Sequence, residues 1–253
     1  MKIVIALFVL VINVLFFTGC DDTGMPIDPK AAKAEIQSTL PASGNPDLNS
    51  VTTLYDKVKS TIGSNGTTGQ YVFTPEEVQS IANMGAGLPP GDRWEIMRAE
   101  MARRHPGKVA DTLKWTFNAA GNVICNIAVV YASPTEYVAF FGTPIGATGF
   151  SGLYTEADVW DCMVFGEMYT FDPGQFEKSV YKAGDTAYLK KGTRRVFRYV
   201  DSCWMIDYAR GNIITMFPFG VINPAMYNTV DPKSAWEQIS NYAELTIKSM
   251  FGI

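Results

Sequence analysis

At 253 residues with 47% hydrophobic content, the chain can bury one sizeable core and is too short for two large domains. Its 21 Lys and Arg against 25 Asp and Glu give a formal charge of −4, with the cations scattered apart from short pairs such as Arg103-Arg104 and Arg194-Arg195. No basic field exists to hold a polyanion, which argues against nucleic acid as a partner.

The chain opens MKIVIALFVLVINVLFFTGCDD, with one cation at Lys2, an apolar run from Ile3 to Phe17, and then Thr18-Gly19-Cys20. A run of about fifteen suits a signal-peptide core and falls short of the ~20 residues of a full span. Two readings stand for residues 1–20. One is a bacterial lipobox in which Cys20 is acylated and becomes the mature N-terminus; the other is an uncleaved single-pass anchor. Either tethers the body outside the cytosol, at a bacterial inner membrane or, in a eukaryote, at the endoplasmic reticulum. Residues 21–70, rich in Ser, Thr, Gly, Pro and Asn, read as a flexible spacer before a single domain over 71–253. Cys125, Cys162 and Cys203 show no CxxC or Cys/His spacing and read as small core hydrophobes.

Order is expected from Phe73, where Thr74 and Glu77 form a capping box, Pro75 takes the first helical position and Phe73 can staple onto Val78. A second helix opens at Asp92, carries Trp94, Met97 and Met101 on one side, and stops at His105-Pro106-Gly107. His105, the only histidine, reads as a cation favourable to that helix's C-terminal dipole. From Trp115 to about Asp207, short segments rich in Val, Ile, Tyr, Phe and Thr, punctuated by Gly and Pro, predict an all-β sandwich or small barrel. Residues 212–227 are apolar nearly all round, with Pro218 as an expected kink. After Asp231-Pro232, the residues Trp236, Ile239, Tyr242, Ala243, Ile247 and Met250 recur at spacings of three and four. Such a stripe can lie on a membrane, cover the mouth of the barrel, or simply pack into the core.

One acid stands out. In CWMIDYARG, Asp207 interrupts an apolar run, and a carboxylate there must find a partner or keep a proton. Strand alternation sends Asp207 and Met205 to one face and Trp204 and Ile206 to the other.

These segments carry a resemblance. The blocks WTFNAAGN (115–122), SPTEYVAFFGTPIGATGFSG (133–152), LKKG (189–192) and WMIDYARGNI (204–213), with HPGKV (105–109) ahead of them, are similar to the family that joins the fungal C-8 sterol isomerase with the sigma non-opioid receptor. The resemblance covers about Phe73 to Phe251. It implies a mainly β fold with flanking helices: a cupin-like β-barrel behind an N-terminal membrane anchor, closed by two C-terminal amphipathic helices lying on the membrane. It also implies a homotrimer, and a lipophilic ligand admitted from membrane lipid. Asp207 falls where the family has an essential glutamate. The second acid is expected about ten residues after Ser151-Gly152, and Asp161 matches if one extra residue is allowed in YTEADVWDCM; Glu156 and Asp158 compete. Glu136 and Tyr137 fall on the family's Glu-Tyr pair, and Met205, Tyr208 and Trp160 join them as expected substrate contacts.

Two departures bear on chemistry. Asp207 is one methylene shorter than the family's glutamate, a displacement of about 1.5 Å that can cost about a hundredfold in rate unless the pocket compensates. The receptor's barrel histidine is replaced by Leu189. The implied activity is a shift of a sterol ring double bond from the 8 to the 7 position by a carboxyl pair, Asp207 and Asp161. No cofactor is expected, and one histidine on a helix cannot build a cupin metal site. The same acids in a Tyr- and Trp-lined barrel would also hold a cationic amphiphile without turnover. The expected partner is therefore a sterol or a cationic amphiphilic small molecule.

Overall fold

The computed structural model describes residues 71–89 and 91–251. The leader, Cys20 and the spacer lie outside them. Two short helices come first, α1 (Pro75–Ala86) and α2 (Arg93–Arg104). Thr74 caps α1 as expected, its Oγ1 accepting from the Glu77 amide at 3.1 Å. The reciprocal half of the capping box is missing, because the Glu77 carboxylate lies 2.9 Å from His105 Nε2. His105 thus ties the end of α2 to the start of α1, rather than serving only the helix dipole.

The predicted mainly β body is one eight-stranded antiparallel sheet: β1 (Thr116–Asn118), β2 (Cys125–Ser133), β3 (Glu136–Thr143), β4 (Ala147–Phe150), β5 (Ala157–Phe171), β6 (Ser179–Lys182), β7 (Thr186–Leu189) and β8 (Val196–Gly211). The order is β1-β2-β3-β8-β5-β6, with β4 added to β8 and β7 to β5. The two long strands β5 and β8 form its spine. Their pairing slips between Met163 and Phe165 and again between Phe165 and Glu167. Gly166 sits in that bulge at φ +85°, where an added Cβ would stand 2.1 Å from the Ser202 carbonyl oxygen.

The pleat sorts side chains onto two faces. One face of β5 and β8 presents Cys162, Val164, Ile206 and Tyr208 to a core shared with Val78, Ile81, Met97 and Met101 of the helices. The other presents Met163, Met205 and Cys203 to a second core with Phe141, Met168 and Tyr199. Cys125, Cys162 and Cys203 are buried free thiols, in keeping with the core reading.

After β8 the chain departs from expectation. The single kinked helix is instead a 3-10 turn (Ile213–Met216) followed by two wide π-type turns (Pro218–Ile222 and Pro224–Asn228), each starting at a proline that has no amide N–H to donate. The last element, α3 (Pro232–Phe251), buries Tyr242, Ala243 and Ile247. Its Asn241 donates to the Val129 carbonyl at 3.5 Å, and the Tyr242 hydroxyl to the Ser133 carbonyl. Core packing accounts for that part of the stripe. Trp236 stays 52% exposed, near the exposed Met226, Tyr227 and Val230 in sequence. Among the described residues no helix is long and apolar enough to cross a membrane.

Candidate active site

Between the inner face of the sheet and the C-terminal turns lies a cavity of about 170 Å³, more than ten times the ~10–15 Å³ that a buried water needs. Ile213, Met216, Phe217 and Phe219 roof it, and Val159, Phe141 and Leu189 are among its floor and walls.

Asp161 and Asp207 both line this cavity. They are direct cross-strand partners in the β5–β8 ladder, which places their Cβ atoms about 5 Å apart on one face. Asp207 pairs across β3 with Ala139, so Tyr137, two residues from Ala139, comes in diagonally on the same face. The Tyr137 hydroxyl donates to Asp207 Oδ2 at 2.7 Å, while Oδ1 is buried with no hydrogen-bond partner.

Electrostatics follow from that arrangement. Burial pushes both carboxyls up from their ordinary value. Asp161 goes further, to about 8, because an ionised Asp207 beside it opposes a second charge; the Arg195 guanidinium pulls the other way. Asp207 rises only to about 6, since the Tyr137 hydrogen bond favours its charged form. At neutral pH the pair therefore holds one proton and one negative charge, a property of the pair as a unit.

The remaining candidates separate cleanly by face. Glu156 is exposed and accepts from Asn212 Nδ2 at 2.7 Å, and Asp158 accepts from the Tyr188 hydroxyl at 2.7 Å and the Lys191 amide at 2.9 Å. Neither lines the cavity. Glu136, Tyr208 and Trp160, expected as substrate contacts, are turned away from it, because each is on the sheet face that carries the helices. Trp160 stacks on Tyr188 with centroids 5.0 Å apart. Glu136 accepts from the Val72 and Phe73 amides at 2.8 and 3.0 Å and from the Tyr208 hydroxyl at 2.8 Å. Arg210 completes that cluster by donating to the Tyr208 oxygen and the Phe73 carbonyl. This group fastens the start of α1 to the sheet. Met205 does belong to the inner face, but it is fully buried beneath Tyr199, its sulfur 3.8 Å from that hydroxyl, and forms no part of the cavity surface.

Sequence reasoning missed Tyr154, Tyr199 and Arg195, all on the cavity wall. Tyr199 was within reach, since it precedes Asp207 by an even number of residues on the same strand. Arg195 belongs to the connection before β8, where no periodicity announces a direction. Among the described residues no cluster of three or more His, Cys, Asp or Glu could hold a metal ion.

The chain is 35% identical over 124 residues to the C-8 sterol isomerase of Pyricularia oryzae, a stretch covering 49% of this chain and 55% of that protein. It is 32% identical over 164 residues to the sigma non-opioid intracellular receptor 1 of Danio rerio, covering 64% of this chain and 73% of the other. Among solved structures, an RmlC-like cupin from Shewanella frigidimarina matches 41% of this chain and 94% of its own at 14% identity, with a TM-score of 0.35. The family model described as "ERG2 and Sigma1 receptor like protein" matches residues 49–252. With four fifths of its length inside that match, the chain belongs to the family that unites C-8 sterol isomerases with sigma receptors.

Proposed function

We propose that the protein is a sterol isomerase that moves a ring double bond from the 8 to the 7 position. The observation that carries this reading is the Asp161–Asp207 pair, two carboxyls facing each other across the β5–β8 ladder in a largely apolar cavity. Asp161, protonated at neutral pH, delivers its proton to one alkene carbon. The resulting carbocation is stabilised by the Asp207 carboxylate, which then takes a proton from the neighbouring ring carbon. Transfer of that proton from Asp207 to Asp161 restores the starting state. Two protons are exchanged and no electrons, so the reaction needs no redox partner. The largely apolar wall makes the carboxylate count, because charges interact more strongly where little water screens them.

A second reading is favoured by the Tyr137–Asp207 hydrogen bond, which occupies one oxygen of an already short side chain. On that reading the protein binds sterols or cationic amphiphiles without turnover. Attachment to a membrane and assembly as a homotrimer belong to the same proposal, and the exposed Met226, Tyr227, Val230 and Trp236 supply apolar surface suited to lipid. The test is to incubate membranes containing the protein with a Δ8-sterol and measure the Δ7 product by mass spectrometry. Asp161→Asn and Asp207→Asn are each expected to lower the rate by ~10²–10⁴. Failure of the wild type to form product while the Δ8-sterol still binds would sink the enzyme reading.

A further inference from the structure

A third charge stands on the cavity wall. Arg195 is held by its backbone to Ser151, accepting from the Ser151 amide at 3.0 Å and donating to Ser151 Oγ at 2.9 Å. Its guanidinium reaches across to β7, where Nη2 donates to the Tyr188 carbonyl. The side chain is only 11% exposed, and Nε is buried without a hydrogen-bond acceptor. Asp172 Oδ1, on a mostly exposed carboxylate, is 4.0 Å from Nε, outside hydrogen-bonding range. A buried guanidinium N–H with no hydrogen-bond acceptor, on a side chain that lines the cavity, calls for one.

The charge balance of the wall points the same way. Among the described residues its ionisable side chains are Asp161, Asp207, Arg195 and four tyrosines, Tyr137, Tyr154, Tyr199 and Tyr242. Burial raises all four phenols, so they stay neutral. The acid pair contributes one negative charge and Arg195 one positive. Arg195 thus sets a positive charge against the acid pair on the wall, with Asp172 beyond the wall 4.0 Å from its Nε, where an acid pair alone would leave its negative charge for a cation to answer.

We propose that Arg195 sets the ligand class of this cavity: its free Nε–H receives an acceptor oxygen of a neutral polycyclic lipid, such as a sterol hydroxyl, and its charge turns the cavity against cationic amphiphiles. The proposal rests on reading the cavity as a lipid site and does not require turnover. It separates two ligand types that the acid pair alone would accept together.

Binding by the full chain in lipid nanodiscs tests it, with two matched probe pairs: a Δ8-sterol and its 3-deoxy counterpart, and an alkyl tertiary amine and its uncharged carbon isostere. The wild type is expected to favour the hydroxyl-bearing sterol by ~10-fold or more, as for a hydrogen bond to a charged group. Arg195→Met abolishes that preference. Arg195→Met and Arg195→Gln both tighten the amine by about tenfold and leave the isostere unmoved, while Arg195→Lys, which keeps the charge, binds it as weakly as the wild type. Arg195→Gln retains an N–H able to reach the Tyr188 carbonyl, so it decides the question if Arg195→Met fails to fold, as judged by a lost thermal transition. Unchanged amine affinity in folded Arg195→Gln overturns the proposal. If neither sterol binds the wild type, the sterol function falls, and the amine series still decides the role of Arg195.

Discussion

Replacing Asp161 by Asn isolates the electrostatics of the pair in a quantity that needs no substrate. Two carboxylates about 5 Å apart repel by ~3 kcal/mol at an effective dielectric of about 20, or some two pH units. On Asp161 that repulsion adds to burial, which lifts Asp161 to about 8 and, against the pull of the Tyr137 hydrogen bond, Asp207 to about 6. Both values lie above those of the unfolded chain, so between about pH 4 and pH 8 the folded state holds more protons than the unfolded one. The associated stability is complete below the unfolded value and drains away as pH rises through about 6 and then about 8. The upper step is the second ionisation of the pair, which Asp161→Asn removes. From pH 6.5 to pH 9 the wild type crosses about one and a half units of that step at ~1.36 kcal/mol each, losing ~2 kcal/mol that Asp161→Asn keeps. For a domain of this size that is ~4–8 °C in Tm. Thermal unfolding followed by circular dichroism at both pH values reads it directly. Parallel curves of Tm against pH for the two proteins would refute a shared-proton pair.

Three other substitutions probe separate parts of the frame. Tyr137→Phe removes the hydrogen bond that favours ionised Asp207, and the acid limb of the pH–rate profile is expected to move up by ~1–2 units; superimposed profiles would show that the bond does not tune the base. Glu136→Gln leaves one amide of the 72–73 pair or the Tyr208 hydroxyl without its acceptor, for a loss of ~1–3 kcal/mol in chemical denaturation. Ligand selectivity stays unchanged, since Glu136 faces the helices, and a shift in selectivity would contradict that placement. Gly166→Ala puts a Cβ against the Ser202 carbonyl at a positive φ, and a loss of at least ~1–3 kcal/mol is expected. A neutral result there would mean that the bulge is looser than described.

What the sequence made legible was the local grammar. The Thr74 cap, the stop at His105, the run of short strands and the shared face of Asp207 and Met205 all follow from spacing and residue type. The misreadings share a cause: resemblance conveys which residues matter without saying which way they point. Tyr208 adjoins Asp207, and Trp160 adjoins Asp161, so the pleat alone turns them to the opposite face. Glu136 looked like a pocket wall and is an anchor for backbone amides 63 and 64 residues away in sequence, a tertiary pairing no local pattern encodes. The 212–227 segment broke into wide turns because two prolines, not one, remove donors from it. Arg195 stayed hidden because its direction is set by contacts from Ser151 and Tyr188.

The alternation along β5 also governs where this chain tolerates changes of length. The extra residue that the resemblance requires between Ser151-Gly152 and Asp161 would fall within reach of the bend at Thr155–Glu156, which ends before β5 begins at Ala157. Residues gained or lost in that bend leave the ladder untouched, so lineages can drift in length there at little cost. One residue inserted between Asp158 and Asp161 with the pairing to β8 held would seat Trp160 opposite Asp207 and swing the acid out among the helices. A comparison of homologous chains is thus expected to show gaps crowding against the start of β5 and none within its first five residues.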